Sequence, residues 1–149
     1  MTAKAGRQAG GIAGIAGRGS TTQRVYATGA VEVVANQNAG GLVGYSYATT
    51  TVAQSVALNA SITASSHAGR IAARELGTEK ATFIDNLAVD TIVITGQTVT
   101  DEGRQTRNGE TISAETARQQ TTYESIGWDF SAVWEWDADA LRPVLVNAR

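Results

Sequence analysis

Apolar residues along this chain do not recur at the three-to-four-residue spacing of an amphipathic helix. They come in short runs separated by Gly, Ser, Thr and Asn. Within the runs the period is two: in "QSVALNASI" (residues 54–62) Val56 is expected on one face and Ser55 and Ala57 on the other. The runs themselves repeat. "AGGIAG" at residues 9–14 returns as "AGGLVG" at 39–44 and, weakened, as "AGRIAA" at 68–73. A second string follows each: "RVYATGAV" from Arg24, "QSVALNASI" from Gln54 and "DNLAVDTIV" from Asp85, aligning Ala27, Ala57 and Ala88. Three units of about thirty residues therefore span residues 7–97, the signature of a repeat architecture.

Each unit reads as three short strands, in the middle unit at 41–45, 52–57 and 60–63. Gly29, Asn59 and Asp90 stand between the second and third, and these types tolerate tight or left-handed turns. Stacked units would place Ile12 over Leu42 over Ile71, and Ala27 over Ala57 over Ala88. The pattern predicts a mainly β chain: a right-handed parallel β-helix, or β-solenoid, of about three coils with a small C-terminal α+β cap. Residues 1–8 read as a leader or linker, 9–97 as the repeats and 98–149 as a helix and Trp-rich capping segment.

Composition narrows the picture. The chain has 149 residues, of which 42% are hydrophobic, so it can bury a core and is not of disordered type. Only 17% are charged, with a net charge of -2, which gives no electrostatic case for nucleic acid. There are no cysteines, which excludes disulfides and thiolate chemistry. No run approaches the roughly 18 apolar residues of a membrane span, and no membrane insertion is expected. The opening "TAKAGRQAGG" lacks the apolar core of a signal peptide. The sequence reads as a piece of a longer chain, with Met1 added for expression.

After the repeats the character changes. Ser113 is placed to cap a helix over 114–123, with Glu115 in its first turn, ending before Gly127. Tyr123, Trp128, Phe130, Trp134 and Trp136 follow closely. Such a cluster is expected to pack over an open end of the stack, where strand edges and apolar interior would otherwise meet water. A carbohydrate-stacking platform is the alternative, and it needs a tryptophan open to solvent.

"GGLVG" followed by "VAQSVALNASI", and "GGIAG" followed by "QRVYATGAV", resemble the GLUG repeat, named for its Gly–Leu–apolar–Gly core. The third unit departs from it, with Arg70 and Ala73 where the motif has Gly, and looks like a degenerate terminal coil. Residues 108–147 resemble the segment that follows GLUG arrays: N-G, a short helix, G-W-D-F, V-W and P-x-L. The resemblance implies a bacterial surface or secreted protein: an adhesin, or the non-catalytic region of an immunoglobulin A1-cleaving zinc metalloprotease. The implied function is a structural or adhesive module, with a protease spacer or a self-assembling fibre subunit as rivals.

Chemistry is sparse. The glycines of "GGLVG" are not a phosphate loop, since no helix and no Lys–Ser/Thr pair follow. His67 is the single histidine, too few for a zinc triad, and H-E-x-x-H is absent. Asp101–Glu102 and Asp137–Asp139 read as solvated acid pairs, and "DADA" lacks the ligands of a calcium loop. An ice-binding face would need threonines in register, and Thr49–Thr51, Thr63 and Thr95 do not read so. No catalytic, cofactor or metal residues are assigned. Candidate ligand contacts are Tyr45, Tyr47 and Trp136, for an extracellular glycan or protein. Self-association is expected through the N-terminal coil, around Ile12 and Val31.

Overall fold

A computed structural model describes residues 2–5, 7–33, 37–76 and 80–146. Met1 and Gly6 of the expected leader, and residues 147–149 of the expected C-terminal segment, lie outside the described residues. The chain is mainly β, with parallel sheets and no closed barrel. A leading strand, β1 (Thr2–Ala5), precedes three units of five short strands. The first holds β2 (Gln8–Gly10), β3 (Ala13–Ala16), β4 (Thr21–Gln23), β5 (Tyr26–Ala27) and β6 (Ala30–Val33). The second holds β7 (Asn38–Gly40), β8 (Val43–Tyr47), β9 (Thr51–Ala53), β10 (Val56–Ala57) and β11 (Ser61–Thr63). The third holds β12 (His67–Gly69), β13 (Glu75–Leu76), β14 (Thr82–Ile84), β15 (Leu87–Val89) and β16 (Val93–Thr95). Then come β17 (Glu110–Ile112), a 3₁₀ turn at Thr116–Arg118, α1 (Gln120–Glu124), β18 (Trp134–Asp137) and β19 (Arg142–Leu145).

Corresponding strands of successive units pair in parallel, giving the sheet orders β1-β6-β11-β16, β5-β10-β15-β17, β2-β7-β12, β3-β8-β13 and β4-β9-β14. The register follows the sequence repeat: Ala57 lies between Ala27 and Ala88, and Ala39 between Ala9 and Ala68. Ile12, Leu42 and Ile71 follow one another through backbone bonds, Ile12 N–H to Leu42 O at 3.0 Å and Leu42 N–H to Ile71 O at 3.1 Å. Thr2–Ala5, expected as linker, is a strand, and its Ala3 lies beside Val31, which is therefore buried rather than exposed.

Each unit has five strands rather than the expected three: Asn38–Gly40 adds one before the expected strand 41–45, and a sharp corner breaks the run 52–57 into two. Arg24, Gln54 and Asp85 occupy that corner in the three units, all with φ of 50°. Gly29, Asn59 and Asp90, expected to turn the chain between the second and third predicted strands, do not take left-handed φ. A left-handed non-glycine residue costs about 1–2 kcal/mol, and a buried ladder beside the corner offsets it. Ser55 N–H donates to Asn86 Oδ1 at 3.1 Å, Ser55 Oγ accepts from Val25 N–H at 3.4 Å, and Asn86 Nδ2 donates to Val52 O at 2.8 Å. Asn59 makes a second ladder, donating to Gly29 O at 2.8 Å and Gly41 O at 3.2 Å.

Between the sheets lie two interior clusters, one around Leu42, Val52, Ile71 and Phe83, the other around Val31, Ile62, Ala39 and Ala68; Ile92 packs against both. Most of their members are alanine or valine, so the interior is thin. Across β10 the predicted alternation holds: Ala57 enters the interior, while Val56 faces outward and is nevertheless fully buried. The C-terminal segment covers it.

Candidate functional site

That segment is a lateral layer, not the end cap expected from the sequence. Its aromatics pack on the outer face of the sheet β5-β10-β15-β17, where Tyr26, Val56, Leu58, Leu87 and Ile112 project. Trp128 is the centre: its ring lies 4.3 Å from Trp134, 5.2 Å from Tyr123 and 6.2 Å from Tyr26. Its Nε1 donates to Gln54 O at 2.7 Å, using a carbonyl that the left-handed corner presents. Tyr26 hydroxyl donates to Pro143 O at 2.9 Å. Aromatic side chains bury about 150–250 Å² each, worth roughly 4–6 kcal/mol at 25 cal/mol/Å². The layer thus supplies the large apolar area that an alanine-rich interior lacks.

The expected helix over 114–123 is split in two. Ser113 Oγ accepts Thr116 N–H at 3.0 Å, as a cap should, but Gln119 is extended between the 3₁₀ turn and α1. Thr122 hydroxyl donates to Thr116 O at 2.6 Å and Tyr123 hydroxyl to Ala117 O at 2.8 Å, which ties the pieces together side chain to backbone.

A different element, the turn of residues 103–109, covers part of the C-terminal end of the parallel stack, at Ile71, Ala72 and Asn86, while β12, β13, β14 and β16 remain edge strands. Ile71 and Ala72 N–H donate to Arg107 O at 3.0 Å, and Asn86 N–H to Arg104 O at 3.0 Å. Arg70 clamps the turn from inside. It is 5% exposed, and donates through Nε to Asn108 O, NH1 to Thr111 Oγ1 and NH2 to Gly109 O, at 2.8–2.9 Å, with Glu102 at 3.9 Å. Burial lowers its pKa, countered by Glu102 and Asp101. The departure from Gly at this position is thus a closing device. Asp101 and Glu102, read as solvated, serve the same turn: Asp101 accepts from Asn108 Nδ2 at 2.6 Å, and Glu102 accepts from Thr111.

The three candidate ligand residues are not gathered into one site. Tyr45 and Tyr47 sit on β8 with rings edge-on at 5.1 Å; Tyr45 is buried, with a raised pKa from burial and from Tyr47, and Tyr47 is exposed. Trp136 is half-buried in the lateral layer, 5.8 Å from Tyr123. Trp128 is buried and Trp134 and Trp136 are half-buried, so none of the three stands fully open to solvent. Threonine columns do exist, contrary to expectation: Thr21, Thr51 and Thr82 are in register, as are Thr63 and Thr95. Their outward neighbours two residues on, Gln23, Ala53 and Ile84, are dissimilar, so no flat double ladder forms. Among the described residues no three His, Asp or Glu side chains converge as metal ligands, and no helix is long and apolar enough to cross a membrane.

Two concavities among the described residues bear on a site. One, of about 140 Å³, lies at the N-terminal end beside Gly11, Ala27 and Gly29, at the repeat position that Asn59 fills in the second unit. The other, of about 280 Å³, separates the stack from the lateral layer; Thr28, Leu58, Val89 and Thr91 line one wall, Arg118 and Arg142 the other. Sequence reasoning missed this cleft, because its walls lie up to 114 residues apart. No family model, curated protein or solved structure matches this chain.

Proposed function

We propose that the chain is a right-handed parallel β-helix of about three coils, a β-solenoid of the GLUG-repeat kind, braced by its C-terminal layer. It serves as a non-catalytic structural or adhesive module of a bacterial cell-surface or secreted protein. The observation that supports this most is the register: strands of each unit pair in parallel with their counterparts in the next, tracking the sequence repeat. A stack of this kind is stiff along its axis and presents long side faces, which suits a stalk or adhesin. Binding of the chain to arrays of glycans and extracellular-matrix proteins tests the adhesive role. Saturable binding supports it; a blank array with the fold intact removes adhesion and leaves the stalk.

A second reading, a self-assembling fibre subunit, draws on the opposite end. There β2 to β5 have a partner strand on one side only, and Ile12 and Ile15 are 45% and 51% exposed. Val31, expected to share that exposure, is not part of it.

A further inference from the structure

We infer that the cleft between the stack and the lateral layer is a binding site for a monosaccharide-sized carboxylate, of the sugar-acid class. Its volume of about 280 Å³ lies near the lower bound of small-molecule sites, room for one ring. The chain is net negative, yet the two charged residues that line the cleft are both arginines. Neither Arg118 nor Arg142 forms an ion pair with a described residue. Guanidinium forks are matched to a carboxylate, which they can hold through two parallel N–H···O bonds. Opposite them, Thr28 and Thr91 offer hydroxyls, and Leu58 and Val89 present apolar surface suited to the C–H face of a sugar ring.

The turn that carries Arg142 is strained in a way that serves this site. Leu141 has φ of 50° and is 42% exposed, an unfavourable conformation for a leucine, at the cleft wall. Arg142 follows it directly, and Asp137 Oδ1 holds the turn by accepting Asp139 and Ala140 N–H at 3.1 and 3.0 Å. Inorganic phosphate has no ring to lie against Leu58 and Val89, which favours a sugar acid over it. The site stands on its own geometry, whether or not the module is adhesive.

Titration of the whole chain with sodium glucuronate, glucose and inorganic phosphate, followed by amide NMR, tests this. Glucuronate should give saturable shifts at Thr28, Thr91 and Arg142, with glucose and phosphate bound at least about tenfold more weakly. Arg118→Gln and Arg142→Gln should each weaken glucuronate about tenfold. Both side chains are exposed, and near-ultraviolet circular dichroism of the tryptophan cluster reports whether the variants keep the fold. Equal binding of glucose, preference for phosphate, shifts that map elsewhere, or no saturable shift at millimolar glucuronate would each overturn the assignment. A blank glycan array lacking sugar acids would count against adhesion without touching this result.

Discussion

Gly41 has no room for a side chain: a Cβ there would lie 2.0 Å from Arg70 O and 2.5 Å from Asn59 Oδ1. Gly41→Val is therefore expected to destabilise by about 3 kcal/mol or more, seen as a lower urea midpoint. The repeat made this position legible in the sequence. The cause was not legible, because the crowding atom belongs to the following unit and the backbone is not left-handed. His67 shows the same limit. It stands against Arg74 and Arg107, with Nδ1 buried and unpartnered, and burial first, then the two guanidiniums, hold its pKa below the ordinary 6.5. A folded pKa below the unfolded value means that the neutral form favours folding. Its contribution is full above pH 6.5 and is lost as pH falls through the depressed folded value. Stability measured by denaturant should begin to decline as pH falls below 6.5, ahead of the carboxylate range. His67→Gln should flatten that decline.

Among elements, the short strands were the most legible, since alternation and the aligned alanines of 27, 57 and 88 fixed their register. The corners were hidden, because Arg24 and Gln54 are not types that signal a left-handed turn, and Asp85, which is, stands at that position in the third unit alone. The closing turn was hidden as well, Arg70 reading only as a lapse in the repeat. Arg70→Ala removes three donated bonds; Gly109 O keeps Gly103 N–H, but Asn108 O loses its donor, which should cost about 2 kcal/mol. Hydrogen exchange locates the loss: the amides of Ile71, Ala72 and Asn86, which bond to the turn, should lose protection before those of β10. The lateral layer was legible as an aromatic cluster, but its seat was not. Val56 reads as one face of an ordinary two-faced strand, and nothing in its alternation says that tryptophans cover it.

At the scale of the molecule the two ends of the stack differ. Strand edges are free at both, but residues 103–109 bond over Ile71, Ala72 and Asn86 at one, whereas at the other β2 to β5 are uncovered, with Ile12 and Ile15 exposed. Amides of the first unit should exchange faster than those of the second, and light scattering should rise with concentration as edges pair. A first unit as protected as the second, in a chain that stays monomeric, would remove the basis for end-to-end association. The lateral layer bears on a separate matter, the number of repeats the molecule tolerates. It is tied to the first unit by Tyr26 and Pro143, to the second by Gln54 and Trp128, and it packs on Leu87 and Ile112 of the next two strands. An extra repeat inserted between Thr63 and His67 would carry Tyr26 about 4.8 Å further along the stack, beyond the reach of Pro143. The layer is thus a gauge of the interval from Tyr26 to Ile112, and further repeats can be accommodated only on the N-terminal side of Tyr26.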